Sequence, residues 1–218
     1  SGPVRVTEEV LDEIDALCPL APLHQPQSVA AIRAAAAALP GVRQSASFDT
    51  AFHRSQPAVA TWIALPRALH DRGLRRYGFH GLSYQYVWSR LGELDPGLAQ
   101  GRILAAHLGS GASLCALKAG RSVDTTMGFS PLEGVPMATR SGSIDPGSLL
   151  YVMREYGLGV DELDQALNHD AGLRGLAGGS GDMRELELRA DAGDESAVRA
   201  FAVFVHRLVA AIAAMSAS

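Results

Sequence analysis

The segment Arg102–Thr126, RILAAHLGSGASLCALKAGRSVDTT, constrains the fold more than any other part of the chain. Its three short apolar runs are each closed by glycine, in RILAAHLG, SLCALKAG and RSVDTTMG. Such spacing reads as three strands joined by tight turns, with no room for a crossover helix between them. The first turn is unusual for a plain hairpin. His107 opens it, two glycines and Ser110 form it, and Ser113 follows.

The rest of the chain reads mainly as helix. Thr7 is an N-cap for EEVLDEIDALC, whose acidic first turn suits the helix dipole. QSVAAIRAAAAALP is an alanine-rich helix stopped by Pro40. RQSASFDT is a short strand ending in Asp49, LPRALHDRG a helix closed by Gly73, and GLSYQYVWSRLGEL a helix with apolar residues at Tyr84, Val87 and Leu91. Past the long loop FSPLEGVPMATRSGSIDPG, helical patterns cover roughly 146–157, 160–169, 182–192 and 194–216. Helices around a mixed sheet indicate the α/β or α+β class.

Composition excludes some functions. The 218 residues are 47% hydrophobic, enough for a sizeable core, and the formal net charge is −4 with no basic patch. A nucleic-acid partner is not expected. The longest apolar stretches are interrupted by Arg33, His206 and Arg207, so no membrane span is expected. Cys18 and Cys115 read as free thiols in a reducing cytoplasm rather than as a disulfide. The last helix runs to the chain end with neither cap nor following strand, which leads us to expect a piece of a longer protein.

Several turns carry residues suited to anion chemistry. Successive N–H groups over Gly109, Ser110, Gly111 and Ala112 can form a phosphate nest, with hydroxyls at Ser110 and Ser113 as added donors; the alternative is a hairpin of small residues. Asp49, in FDTAFH, either binds Mg²⁺ or caps a turn. His53 is a packing residue. His80 sits in the glycine-bracketed turn of RRYGFHGLS and either donates to an anion or is structural. Arg140, in ATRSGSIDPG, offers a forked donor set to a phosphoryl group or else makes a surface salt bridge. GGSGD is a turn in which Ser180 or Asp182 caps the next helix. No P-loop, G-x-G-x-x-G or G-x-S-x-G motif occurs.

The stretches APLHQP, FDTAFH, RRYGFHGLSYQYV, AHLGSGAS, GRSVDTTMGFSPLEG and ATRSGSIDPG occur in one order across nearly the whole chain. In this the chain resembles the acetate kinase (acetokinase) family, with propionate and butyrate kinases as relatives. The resemblance implies an α/β, ribonuclease-H-like fold of the actin, sugar kinase and Hsp70 superfamily. Residues 1–49 would then be the C-terminal part of the first, acyl-side half-domain. Residues 50–218 would be the core of the second, nucleotide-side half-domain, apparently truncated. It implies phosphoryl transfer from ATP to acetate, reversibly giving acetyl phosphate and ADP, assisted by Mg²⁺ or Mn²⁺, in a cytoplasmic homodimer.

Carried over by position, Asp49 is the catalytic acid that helps place the metal, His80 touches the transferring phosphoryl group, and Arg140 binds the carboxylate and stabilises the transition state. His107, Gly109, Ser110 and Gly111 meet the nucleotide phosphates. Leu23, Phe79 and Pro131 wall the acyl pocket, and His24 is a further active-site histidine. Two positions depart from many relatives: Ser110 stands for asparagine and Tyr84 for histidine. The resemblance also places site segments upstream of Ser1 and downstream of Ser218. Residues 1–218 would then hold about half of a site and be inactive alone. The alternatives are a propionate or butyrate kinase, or a non-catalytic remnant of such a kinase.

Overall fold

The computed structural model of the protein describes residues 2–20 and 24–218. The chain divides into two compact units, Ser1–Ala51 and Phe52–Ser218.

In the first unit, strand β1 (Val4–Arg5) precedes helix α1 (Glu8–Ala16). Thr7 caps α1, its hydroxyl accepting the Val10 N–H at 3.3 Å. Leu11 and Ile14, one turn apart, bury against Val29 of α2 (Gln25–Ala38). Val29 is the one fully buried residue of α2, so the alanine-rich helix lies on the surface of its unit. β2 (Ser45–Ala46) pairs antiparallel with β1. The strand expected over RQSASFDT is therefore only two residues long, with one further backbone bond from the Val6 N–H to the Gln44 carbonyl at 3.0 Å. Asp49 is not at a strand end: it opens a 3₁₀ turn, Asp49–Ser55.

The second unit opens with two single-turn helices, α3 (Ala58–Thr61) and α4 (Arg67–His70). The longer helix read over LPRALHDRG is thus one turn. α5 (Gly81–Leu94) forms as its periodicity predicts, and Asp95 caps the short α6 (Pro96–Ala99) by accepting the Leu98 N–H at 2.8 Å. Strands β3 (Arg102–Leu108), β4 (Ala112–Lys118) and β5 (Arg121–Thr125) follow as an antiparallel meander in that order.

β4 is central and buried from Ala112 to Leu117. Alternation along the strand sends Cys115 and Leu117 to one face, where they join Ala105, with Tyr84 and Trp88 of α5. Ala112 faces the other way, toward Met127, Val135 and Met137. A two-residue turn, Ala119-Gly120, links β4 to β5, with both residues at positive φ (48° and 75°). A Cβ at Gly120 would lie 2.2 Å from the Trp88 indole, so this turn is filled from beneath by α5.

After the long loop come α7 (Pro146–Glu155) and α8 (Val160–Gln165), the latter continuing as a π turn over Ala166–Asp170. α9 (Gly172–Ala177) is a helix in a stretch to which the sequence reading assigns no element. Its Leu173 and Ala177 pack with Leu186 of α10 (Met183–Asp191) and with Ala197 and Ala200 of α11 (Glu195–Met215). By length and composition α11 could cross a membrane. Its Ala197 and Ala200 are fully buried in this helical cluster, and Leu208 and Ala211 lie against the Ala112 cluster, while Val198, Val205 and Val209 are exposed. The free thiols expected of Cys18 and Cys115 are present.

Candidate active site

The turn between β3 and β4 comprises Gly109, Ser110 and Gly111, since Leu108 and Ala112 are the last paired residues. The Gly109 N–H donates to the Gly111 carbonyl at 2.9 Å, and the Ser110 carbonyl accepts from the Ala138 N–H at 3.1 Å. The nest is therefore smaller than the sequence indicated: Gly109 spends its N–H inside the turn. Gly109 and Ser110 are exposed at the tip, and Gly111 is buried behind them.

The Ala138 bond ties this tip to the segment that carries Arg140. Met137 N–H donates to the Arg140 carbonyl at 3.0 Å, while Leu173 and Arg174 of α9 donate to the carbonyls of Met137 and Ala138. Arg140 is thus held by its backbone between a hairpin tip and a helix start. Its side chain is half-buried, and burial pushes the guanidinium pKa down. One Nη donates to the Pro131 carbonyl at 2.7 Å. Among the described residues of the second unit no carboxylate pairs with it. The surface salt bridge considered as its alternative role is absent from that set.

His80 immediately precedes α5 with a left-handed backbone, φ 57° and ψ 23°. A non-glycine residue there carries strain of about 1 kcal/mol or more, held in place by its surroundings. Its Nδ1 lies 2.8 Å from Ser113 Oγ, and its ring stacks on His107, with centroids 4.0 Å apart and planes at 23°. His107 Nδ1 in turn meets Ser83 Oγ at 3.0 Å. Both imidazoles give Nδ1 to a serine and turn Nε2 toward the glycine turn. A Cβ at Gly111 would stand 3.3 Å from His80 Nε2 and 2.6 Å from Arg140 Nη2. A Cβ at Gly109 would stand 3.6 Å from His107 Nε2. Glycine at 111 therefore leaves space that the guanidinium and the imidazole both border.

The structure brings together His80, His107, Gly109, Ser110, Gly111 and Arg140. Pro131 joins them through its carbonyl. The Phe79 side chain packs against the cluster of Ala112, Met127, Val135 and Met137, while its carbonyl faces His53 Nε2 at 2.8 Å. His24 is exposed at the start of α2, and Asp49 opens its 3₁₀ turn; both belong to the first unit. Leu23 lies outside the described residues.

Two roles differ from the sequence reading. The Ser113 hydroxyl is fully buried between His80 and Tyr84, so it does not serve as a phosphate donor. His53, 2% exposed, bonds Ser122 Oγ at 2.9 Å as well as the Phe79 carbonyl, and so fixes the turn that presents His80. It packs, as expected, but at a place that orients the site. Ser83 was missed altogether; its position one turn into α5, on the side of His80, was the available signal.

A profile of the acetokinase family matches residues 1–218. The acetate kinase of Methylocella silvestris is 49% identical over 215 residues, covering 99% of this chain and 53% of that protein. A crystal structure of Porphyromonas gingivalis acetate kinase superposes with a TM-score of 0.91 at 38% identity, covering 100% of this chain and 55% of that one. A propionate kinase structure from Francisella tularensis gives a TM-score of 0.94 at 38% identity, covering 99% and 56%. The chain spans about half the length of the curated relatives it matches.

Proposed function

This chain belongs to the acetokinase family, and on that premise we propose that the protein transfers the γ-phosphoryl group of ATP to acetate, reversibly giving acetyl phosphate and ADP. The observation that carries this reading is Arg140: a half-buried guanidinium with no carboxylate partner in its unit, bordering the same space beside Gly111 as His80 Nε2. A desolvated cation in such a place is completed by an anion.

The chemistry asks for little else. Acetate is ionised at neutral pH, so its oxygen attacks the γ-phosphorus without a general base, and the bond to the ADP oxygen breaks in line with it. Catalysis is then alignment and charge stabilisation. Arg140 offers a planar fork to the carboxylate and to the equatorial phosphoryl oxygens. His80 donates from Nε2 to the same group. His107 and the turn Gly109–Gly111 meet the nucleotide phosphates, and Phe79 and Pro131 are the acyl-side residues of the second unit.

Asp49 suits Mg²⁺, which is usually held by one or two carboxylates together with phosphate oxygens and waters. Among the described residues no group of three or more His, Cys, Asp or Glu side chains is assembled as a cage. That donor set fits an ion that arrives with the nucleotide, and Mg²⁺ so bound neutralises phosphate charge. His24 is a further polar group of the acyl side. In this reading the first unit belongs to the acyl-side half-domain and the second is the nucleotide-side core. The protein acts as a cytoplasmic homodimer, a location supported by its two free thiols.

Acyl phosphate formation by the full-length protein, trapped as hydroxamate across acetate, propionate, butyrate and hexanoate, tests the proposal. Each added methylene in a tight pocket changes discrimination by about 1–3 kcal/mol. Acetate and propionate should turn over well and longer acids poorly. A preference for butyrate or longer would reassign the substrate, and no ATP-dependent product with any acid would refute the proposal.

A further inference from the structure

We infer that the ion pair of Arg76 and Glu133 is a positioning device for Arg140. It anchors the loop whose Pro131 carbonyl holds the Arg140 guanidinium, and it ties that loop to the segment leading into His80. The use of Arg140 for phosphoryl transfer rests on the kinase reading; the anchoring does not.

Arg76 stands four residues before His80. Its backbone N–H donates to the Thr61 carbonyl at 2.8 Å, and the N–H groups of Tyr77 and Gly78 both donate to the Gly128 carbonyl, at 2.9 and 3.2 Å. The Arg76 side chain continues this seam. Nη2 donates to the Thr125 carbonyl, at the end of β5, at 2.8 Å, and Nη1 donates to Glu133 Oε1 at 2.6 Å. The guanidinium side chain is only 20% exposed, so the pair is partly withdrawn from water at its cationic end. Arginine's rigid planar fork, with one arm on a strand end and the other on a loop, fixes the separation of the two.

The place of the carboxylate is built into the backbone. A Cβ at Gly128 would stand 1.8 Å from Glu133 Oε2 and 3.0 Å from Arg76 Nη1. Gly128 does not have a positive φ, so its conformation does not call for glycine. The missing side chain is what seats the carboxylate.

Glu133 lies two residues beyond Pro131, which is buried and whose carbonyl accepts from Arg140 Nη1 at 2.7 Å. On the other side of Glu133, the Gly134 N–H donates to Ser143 Oγ at 3.0 Å, and the Gly134 carbonyl accepts the Ser143 N–H at 2.8 Å. The loop is thus fastened at Gly134 to the segment that carries Arg140, and through Glu133 to the segment that carries His80. Loss of the Glu133 carboxylate leaves the Ser143 fastening intact and loosens the stretch that includes Pro131. Arg140 then keeps its backbone place, which Met137 helps to fix, but its guanidinium loses a rigid acceptor. Misplacing a positioned group by about 1 Å can cost catalysis up to about a hundredfold.

The test is steady-state kinetics of the full-length protein, with the Arg140 guanidinium followed separately in ¹⁵N-arginine-labelled protein and assigned by its loss in Arg140→Lys. Glu133→Ala should lower kcat per folded protein by about tenfold, with KM for ATP little changed. In the Arg140→Ala background the same substitution should cost less than about twofold. Gly128→Ala keeps both charges but fills the seat of the carboxylate. It should reproduce most of the loss, and it should add less than about twofold to Glu133→Ala. In the spectrum, the two Nη groups of Arg140 should be distinct in the unsubstituted protein and should merge in Glu133→Ala, as rotation of the guanidinium speeds up. Should Glu133→Ala fail to fold, Glu133→Gln takes its place, with a loss of about threefold and the same dependence on Arg140. An unchanged kcat in Glu133→Ala would overturn the inference. So would losses that multiply with that of Arg140→Ala, or an Arg140 spectrum that the substitution leaves unmoved. A spectrum that changes as expected, in a protein that makes no acyl phosphate from any acid, would support the anchoring and count against the kinase reading instead.

Discussion

Two glycine turns leave the same central strand at opposite ends, and they do different work. At one end of β4, Ala119-Gly120 curls over Trp88, and a Cβ on Gly120 would strike the indole at 2.2 Å. At the other end, a Cβ on Gly111 would strike the tip of Arg140 at 2.6 Å and approach His80 at 3.3 Å. The first turn is filled by an apolar ring wedged between helix and sheet. The second faces the ends of polar side chains, one of which can move. Glycine at 120 is needed for folding, whereas glycine at 111 is needed to leave the guanidinium where it is. A glycine-rich hairpin becomes a site when what lies beneath it is charged and short of partners.

The largest effect should come from the second turn. In the full-length protein, Arg140→Ala should lower kcat by more than a hundredfold while shifting the melting temperature little, because its contribution is made mainly in the transition state. Steady-state hydroxamate assays beside thermal melts check this. A loss under tenfold, or a matching loss of stability, would make Arg140 a structural residue like those at the other turn.

Gly120→Ala should do the opposite. A left-handed alanine against a fixed indole should cost about 2–4 kcal/mol of stability. The folded fraction should keep its kcat. Denaturant titration measures the first quantity, and activity corrected for folded protein measures the second. Unchanged stability would mean that Trp88 can retreat, and the contrast between the turns would fail.

A smaller effect concerns Cys115, on the same strand. Burial pushes its thiol pKa up from the ordinary thiol range to about 12. Below pH 9 the thiol is neutral in both folded and unfolded chains and contributes nothing to pH dependence. Between about pH 9 and 12 only the unfolded chain ionises, so stability falls as pH rises. Melting temperature across this window should fall less steeply in Cys115→Ala than in the unsubstituted protein. Equal slopes would show that Cys115 does not contribute.

Much of this contrast was legible in the sequence. The three strands, both glycine turns and α5 follow from apolar runs and their punctuation, which local chemistry dictates. The candidate residues of the second unit lay in the quoted motifs. What lay hidden depended on distant partners. His53 gains its meaning from Phe79 and Ser122, the latter 69 positions away. α9 was not assigned from sequence; Gly172 and Gly175 are poor helix formers, but burial of Leu173 and Ala177 overrides that preference. Ser113 is the instructive miss. Strand alternation places it on the same face as Cys115 and Leu117, so its hydroxyl had to point inward, toward Tyr84, and not into the turn.

The most direct measurement is a double-mutant cycle on kcat in the full-length protein, combining Gly111→Ala with Arg140→Ala. If Gly111 matters because a side chain there displaces the guanidinium, Gly111→Ala alone should lower kcat by tenfold or more, as roughly 1.4 kcal/mol of lost stabilisation would. In the Arg140→Ala background it should cost almost nothing further, so that the two losses are strongly non-additive. Losses that multiply would show that the glycine and the arginine act independently, and would contradict the claim that the space beside Gly111 is kept open for Arg140 to meet its anion.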